Sequence, residues 1–264
     1  MKELFTFLPT MSWPCVVSNI HWCRVFPLLL VGSAFCAVPA LGQQLETLSV
    51  TSTLNITRTT TAAPVVFLGP RILATNTDRT HYDEIGYRLG VAGRWRMGNA
   101  GWFGQAEAGY TSTSSQRYSL LTPNSAPFLP DDWGVGHQIR RWEIAPLVGK
   151  HTSRRTYVLA GPVLAYNLRA EPGEVRPDTR INDEIYNSLM RSVNRVQLLA
   201  QVGVGVTFGR FDFNLRYEHS LTPYTRRFTF QGLTYGYNQR IRQGLFTTGF
   251  ALYKRRVEPK ATTP

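Results

Sequence analysis

Cysteine is scarce in this chain of 264 residues: Cys15, Cys23 and Cys36 are its only three, and all precede residue 37. Once a leader is removed, the rest can hold neither a disulfide nor a thiolate metal site, so secondary structure must supply its stability. Long apolar runs are missing too. After residue 42 nothing approaches the roughly 18 consecutive apolar residues of a membrane helix, which excludes helical spans there. Acidic residues are few, 17 against 29 Lys and Arg, for a net charge of +12. An excess of that size calls for an anionic counterpart. An exported chain meets anionic lipid rather than nucleic acid, and export is what the N-terminus indicates.

Arg24 precedes an apolar run from Val25 to Val38, and Ala40-Leu41-Gly42 forms a small-x-small site that would be cut before Gln43. Residues 1–42 are therefore expected to be a leader and secretory signal, with Met11 as an alternative start. Phe35 is too large for the position before an acylated cysteine, which disfavours a lipid anchor at Cys36. Removing Lys2, Arg24 and Glu3 with the leader takes one positive charge from +12 and leaves +11.

What is plentiful is glycine (22), tyrosine (12) and phenylalanine (14), a composition suited to sheets. Residues 43–63 are rich in Ser and Thr, with Leu48, Val50, Leu54 and Ile56 at even spacing. They are expected to be a linker-like N-terminal segment, an additional strand being the alternative. Period-two segments follow at about 64–74, 84–97, 101–113, 138–150, 155–169, 193–208, 211–219 and 242–254. Short links at 98–100, 151–154 and 209–210 alternate with long ones at 75–83, 114–137, 170–192 and 220–241. Sorting of this kind fits a meander whose two ends face different surroundings, and a Greek-key sandwich gives no reason for it.

Each strand separates its side chains cleanly. Val196, Leu198, Ala200, Val202, Val204, Val206 and Phe208 oppose Arg195, Gln197, Gln201, Gly203, Gly205 and Thr207. Phe211, Phe213, Leu215 and Tyr217 oppose Asp212, Asn214, Arg216 and Glu218. A soluble lipocalin-like barrel shares this period with the apolar set inward. Here the stripes are long enough for tilted membrane strands, and the polar face mixes charge with glycine as a narrow lumen requires. Trp95, Trp102, Tyr157, Phe208, Phe211 and Tyr253 sit beside the short turns, where an interfacial aromatic girdle belongs. The expected fold is an all-β, eight-stranded antiparallel up-and-down transmembrane β-barrel over 64–254, with a tail over 255–264.

In that fold Arg71, Arg88, Arg94, Arg141, Arg195 and Arg216 face Glu107, Glu143, Asp212 and Glu218 across the lumen. Such charges must be paired or hydrated. The expectation is a salt-bridged plug; a narrow cation-repelling passage is the alternative, because arginines outnumber acids in this set. Pro70, Pro146 and Pro162 remove ladder donors and are expected at bulges or strand ends.

The segments YRLGVAGRW (87–95), QVGVGVTFGRFDFNLRYEHSLTP (201–223) and TTGFALYKR (247–255) give the chain a resemblance, over about residues 64 to 254, to the PorT-like outer membrane protein beta-barrel family of the Bacteroidetes. The resemblance implies an eight-stranded barrel in the outer membrane of a Gram-negative bacterium, with short turns in the periplasm and long loops outward. It implies periplasmic chaperones and the barrel assembly machinery as partners during insertion, and no particular activity. Gly249, Phe250, Leu252 and Tyr253 look like the assembly signal of the last strand, although the chain continues for KRRVEPKATTP where many relatives stop at an aromatic.

Chemistry has one candidate, Glu218-His219-Ser220. Outer-membrane deacylases carry His, Ser and an acid on one face, whereas neighbours in a strand point to opposite faces, so no relay forms here. The stretch HYDE (81–84) is a weak divalent-ion candidate, and the glycines of GNAG and GVGVG precede no helix and are not phosphate loops. No catalytic residue, metal or cofactor is expected. The loops 121–137 and 222–240 are the expected contact surfaces, with Arg226, Arg227, Arg240 and Arg242 meeting lipopolysaccharide phosphates. RRFTF and LTYGY are expected to extend the sheet as a hairpin beyond the membrane. A monomeric, non-enzymatic envelope barrel is the reading, with a small-solute pore or a lipid-modifying enzyme as alternatives.

Overall fold

The computed structural model describes residues 44–61, 65–69, 72–75, 84–98, 100–121, 134–168 and 180–255. The expected leader and signal, Pro70, Arg71, residues 81–83, the loop 122–133 and the tail from residue 256 lie outside the described residues.

In chain order the strands are β1 (Gln44–Thr61), β2 (Val65–Phe67), β3 (Ile72–Thr75), β4 (Glu84–Met97), β5 (Trp102–Leu121), β6 (Gly134–His151), β7 (Thr156–Asn167), β8 (Val196–Phe208), β9 (Phe211–Ser220), β10 (Phe228–Phe230), β11 (Leu233–Tyr235) and β12 (Gln239–Lys254). One helix, α1 (Arg180–Arg191), lies between β7 and β8. β1, β4, β5, β6, β7, β8, β9 and β12 each pair antiparallel with the next, and β12 closes on β1. The result is a closed eight-stranded up-and-down barrel. Closure removes every free edge from the wall.

Its inward and outward faces follow the alternation. Gln197, Gln201, Asn214, Arg216 and Glu218 are buried inside, while Val202, Val204, Leu215 and Tyr217 stand exposed outside. Phe208 and Phe211 flank the tightest link, where Gly209 takes φ of 61°. A two-residue hairpin turn needs such a left-handed residue, and glycine takes it without a Cβ clash. That turn and those at 98–101 and 152–155 share one end of the barrel with the start of β1 and the end of β12. The long connections share the other.

The barrel begins earlier than the sequence reading placed it. Residues 44–61 are not a linker: β1 pairs with β12 from Thr47–Lys254 to Thr61–Gln239 and with β4 from Gln44–Arg96 to Thr57–Glu84. Its Ser/Thr-rich composition suits a narrow interior, where Thr53, Asn55 and Thr57 are buried while Val50, Leu54 and Ile56 face outward. The segment 64–74 is not a wall strand. It contributes the short hairpin β2–β3, attached to the extension of β5 through Ile72–Leu121 to Thr75–Tyr118. One strand gained and one lost leave the count at eight.

Pro146 and Pro162 do not mark bulges or strand ends. The β6–β7 ladder runs from Arg141–Asn167 to Ile144–Leu164 and resumes at Val148–Ala160 in the same register. Both prolines fall in that interruption, where each lacks only a donor that the other strand does not use. Their opposite seams stay intact, Pro146 against Ala106 and Pro162 against Ala200.

At the long-connection end a second core forms. Val66, Leu68 and Leu73 of the β2–β3 hairpin region, Ile185 and Leu189 of α1, and Phe228, Phe230 and Tyr237 bury one another. α1 presents Ile185 and Leu189 one turn apart, with Asp183 in its first turn and Arg191 in its last, favourably placed for the helix dipole. The helix falls within 170–192, a stretch expected as a long connection without regular structure. The β10–β11 hairpin occurs where RRFTF and LTYGY placed it, but forms its own two-stranded sheet rather than an extension of the wall.

Removing residues 44–61 is expected to abolish the heat-modifiable electrophoretic shift of the refolded protein, because β4 and β12 lose their shared neighbour. Removing 65–75, which only trims the cap, should leave the shift in place.

Candidate functional site

Among the described residues the lumen carries the densest chemistry, in two layers. Toward the long-connection end, Glu218 of β9 accepts from Arg88 of β4 at 3.0 Å and from Arg141 of β6 at 2.8 Å. Arg88 also pairs with Glu143 of β6 at 2.5 Å, and Arg141 pairs with the same carboxylate. Thr111 of β5 donates to Glu143 at 2.7 Å and accepts from Arg88 at 3.0 Å. Arg141 donates to Gln243 of β12 at 2.9 Å, and Gln243 in turn donates to Thr57 of β1 at 2.9 Å. One network thereby ties together β1, β4, β5, β6, β9 and β12. Arg141 and Glu218 are both 0% exposed, so the loss of either would leave the buried Arg88–Glu143–Arg141–Glu218 cluster with one uncompensated charge.

Nearer the turns, Arg216 of β9 holds Glu107 of β5 with two bonds of 2.7 Å, the planar fork matching the carboxylate. Gln105 donates to Glu107 and accepts from Arg94 at 2.8 Å. Arg94 reaches Asp212 at 3.2 Å, and Asp212 also accepts from Tyr157, from Thr207 at 3.2 Å and from Asn214 at 3.1 Å. The Arg94 guanidinium lies 4.5 Å from the Phe103 ring centre and 4.4 Å from that of Tyr157, where the ring faces attract it.

One sector of the interior is apolar. Phe103, Ala145, Leu147, Tyr157, Leu159, Val163, Ala165 and Leu199 pack together along β5 to β8. Phe103 sits over Gly149 and Tyr157 over Gly205, positions where a Cβ would collide with the ring. Small residues on one strand thus receive the large ones of its neighbours. A cleft of about 30 Å³ remains at the turn end among Arg94, Thr207, Asp212, Gly249 and Lys254. That is room for one or two water molecules.

Of the ten lumen charges read from sequence, Arg88, Arg94, Glu107, Arg141, Glu143, Asp212, Arg216 and Glu218 converge here. Arg71 lies outside the described residues. Arg195 is not in the lumen: β8 begins one residue later, and the exposed guanidinium donates to Tyr166 on the outer wall at 3.3 Å. Among the described residues four arginines therefore meet four carboxylates, and the expected arginine excess disappears. The sequence reading missed Gln105, Thr111, Tyr157, Thr57 and Gln243 as network members. The alternation rule carried to β7 and β12 finds Tyr157 and Gln243; Thr57 was hidden by the linker reading.

Tyr157 accordingly leaves the aromatic girdle, and so does Trp95, only 7% exposed opposite the β1 bulge between Leu45 and Thr47. Trp102, Phe208, Phe211 and Tyr253 are exposed at the turn end, with Lys150 over Trp102 and Arg155 over Phe208. Arg226, Arg227, Arg240 and Arg242 are exposed at the long-connection end. Glu218 points inward, His219 stacks on Tyr217, and Ser220 accepts the Ile241 N–H at 2.8 Å, so the three do not converge.

The wall, its apolar exterior and the charged, filled interior define a small transmembrane β-barrel. No protein-family model matches the sequence, and no curated protein does. Solved structures of similar form include Ail, the attachment invasion locus protein of Yersinia pestis, at 10% identity over 79% of this chain and 100% of that one, with a TM-score of 0.39. Outer membrane protein OprG from Pseudomonas aeruginosa is similar at 8% identity over 79% and 96%, with a TM-score of 0.42. Outer membrane protein AlkL is similar at 9% identity over 82% and 95%, with a TM-score of 0.33. The barrel assignment rests on this chain's own strand pairing.

Glu218→Ala removes one of the two carboxylates that Arg88 and Arg141 share, leaving both guanidinium groups on Glu143, and is expected to destabilise the barrel by about 3–5 kcal/mol. Urea unfolding in detergent micelles measures it. Arg226→Ala, on the exposed cap, should stay within about 0.5 kcal/mol of wild type.

Proposed function

We propose that the protein is a non-enzymatic barrel of a Gram-negative outer membrane that acts through its surface rather than through its lumen. The observation that carries this reading is the interior itself, in which, among the described residues, four arginines and four carboxylates neutralise one another and the cleft at the turn end holds only about 30 Å³. Passage of a solute would require breaking several buried ion pairs at once, each costly to leave half-made. The packed cap beyond the wall supports the same reading, because it gives that end a folded, rigid surface. Membership of the PorT-like group of the Bacteroidetes fits the segments 87–95, 201–223 and 247–255. In this view residues 1–42 direct export and are removed, periplasmic chaperones and the barrel assembly machinery insert the chain as a monomer, and the long connections face outward. Arg226, Arg227, Arg240 and Arg242 then stand at the level of lipopolysaccharide phosphates, for which guanidinium groups are well matched. The role is structural support of the envelope or contact with surface partners.

Planar-bilayer recording of refolded residues 43–264 is the direct test. The sealed lumen predicts a silent membrane at protein levels where pores of similar size give discrete steps. Reproducible open-channel steps would replace this reading with a small-solute pore.

A further inference from the structure

The β1–β12–β9 part of the wall carries an unusual cross-strand row. Arg58 lies directly opposite Arg242, and Arg242 directly opposite His219. All three belong to the outward-facing series of their strands, and both arginines are exposed. Like charges in opposed positions repel, and a sheet normally avoids them. Neither guanidinium makes a side-chain hydrogen bond or ion pair within the described residues, so among these nothing offsets the repulsion. Arg240 stands one outward position further along β12.

Below this row the wall changes character at once. The next outward rung is Ile56, Gly244 and Tyr217, and the one after it Leu54, Phe246 and Leu215. Gly244 leaves a gap between the apolar side chains of these two rungs: a Cβ there would meet nothing within 4 Å. Its empty place is a notch flanked by Ile56 and Tyr217, and the His219 ring lies stacked on Tyr217 at its upper rim, 6.5 Å between centres and 12° from parallel. A pair of unpaired arginines directly above an apolar notch matches a molecule with an anionic head and a hydrocarbon tail.

We propose that Arg58 and Arg242 seat a phosphate of one outer-leaflet lipopolysaccharide molecule, with an acyl chain lying in the notch at Gly244. The inference rests on the reading that this wall spans an outer membrane with its long connections outward. Two guanidinium groups offer paired donors to the phosphate oxygens, and the phosphate removes the Arg58–Arg242 repulsion. The notch selects for a tail as well as a charge, and an inorganic anion would gain nothing from it.

The test uses refolded protein in phosphatidylcholine nanodiscs containing either a minor fraction of lipopolysaccharide or the same fraction of phosphatidylglycerol, with bound lipid counted by native mass spectrometry. Wild type is expected to retain lipopolysaccharide in preference to phosphatidylglycerol. Arg58→Gln with Arg242→Gln should weaken that retention by about tenfold, the loss of charge-assisted bonds worth roughly one decade of affinity. Gly244→Leu, which fills the notch without touching either arginine, should weaken it as well while keeping the heat-modifiable shift. Retention unchanged in the double variant would overturn the proposal, as would equal retention of the two lipids by wild type. Failure of wild type to enter nanodiscs of either kind would overturn the membrane reading beneath it.

Discussion

The contact of Glu218 with Arg88 and Arg141 is the constraint around which the rest of this barrel is arranged. An eight-stranded barrel encloses a space just wide enough for side chains, so an inward charge has no bulk water to turn to. Glu218 meets two guanidinium groups from β4 and β6. Those same arginines need Glu143, which leaves Thr111, Gln243 and Thr57 to complete the hydrogen bonding. Cross-lumen pairing fixes which residues must point inward, and period two then fixes what points outward. The outward residues are Val, Leu, Ile, Phe and Tyr, exposed in numbers that water does not favour and hydrocarbon does. Interior charge and lipid-facing wall are one fact seen from two sides.

Polar and apolar sectors divide the interior between them. The ion pairs gather on β4, β5, β6 and β9, with β1 and β12 supplying hydroxyl and amide groups, while Leu147, Leu159, Val163, Ala165 and Leu199 fill the side of β6 to β8. The interrupted β6–β7 ladder falls in this apolar sector. Gly161 brings its backbone against Pro146 there. At the long-connection end the hairpins and α1 bury their own core. The long-connection end thus reaches order by local packing, and the lumen by charge pairing in one sector and apolar packing in the other.

Much of this was legible in the sequence because one rule, alternation, governs wall and lumen together. It placed Asp212, Asn214, Arg216 and Glu218 on one face of β9 and Leu215 and Tyr217 on the other, which set both the solvent of the wall and the contents of the lumen. The rule failed where composition was allowed to override it. Gln44–Thr61 alternates as well as any strand, yet its Ser and Thr residues suggested a linker. Inside a narrow barrel a short hydroxyl fits where a longer polar side chain does not. Tyr157 was assigned to the girdle by its residue type when its parity with Leu159 and Val163 places it inside. Arg195 failed in the opposite way, since parity continued past the point where the β8 ladder begins. Pairings between distant strands, such as Arg141 with Glu218, lie beyond any local pattern because they depend on how the sheet closes.

The claim that the lumen is held by cross-strand charge pairing is tested most directly by a double-mutant cycle on Arg141 and Glu218. Unfolding free energies would be measured for Arg141→Met, Glu218→Met and the double variant in one detergent. Each single change leaves the buried cluster with one uncompensated charge, so the double variant is expected to be less destabilised than the sum of the two, by about 1–3 kcal/mol. Additive losses, with no coupling between the two sites, would contradict the account.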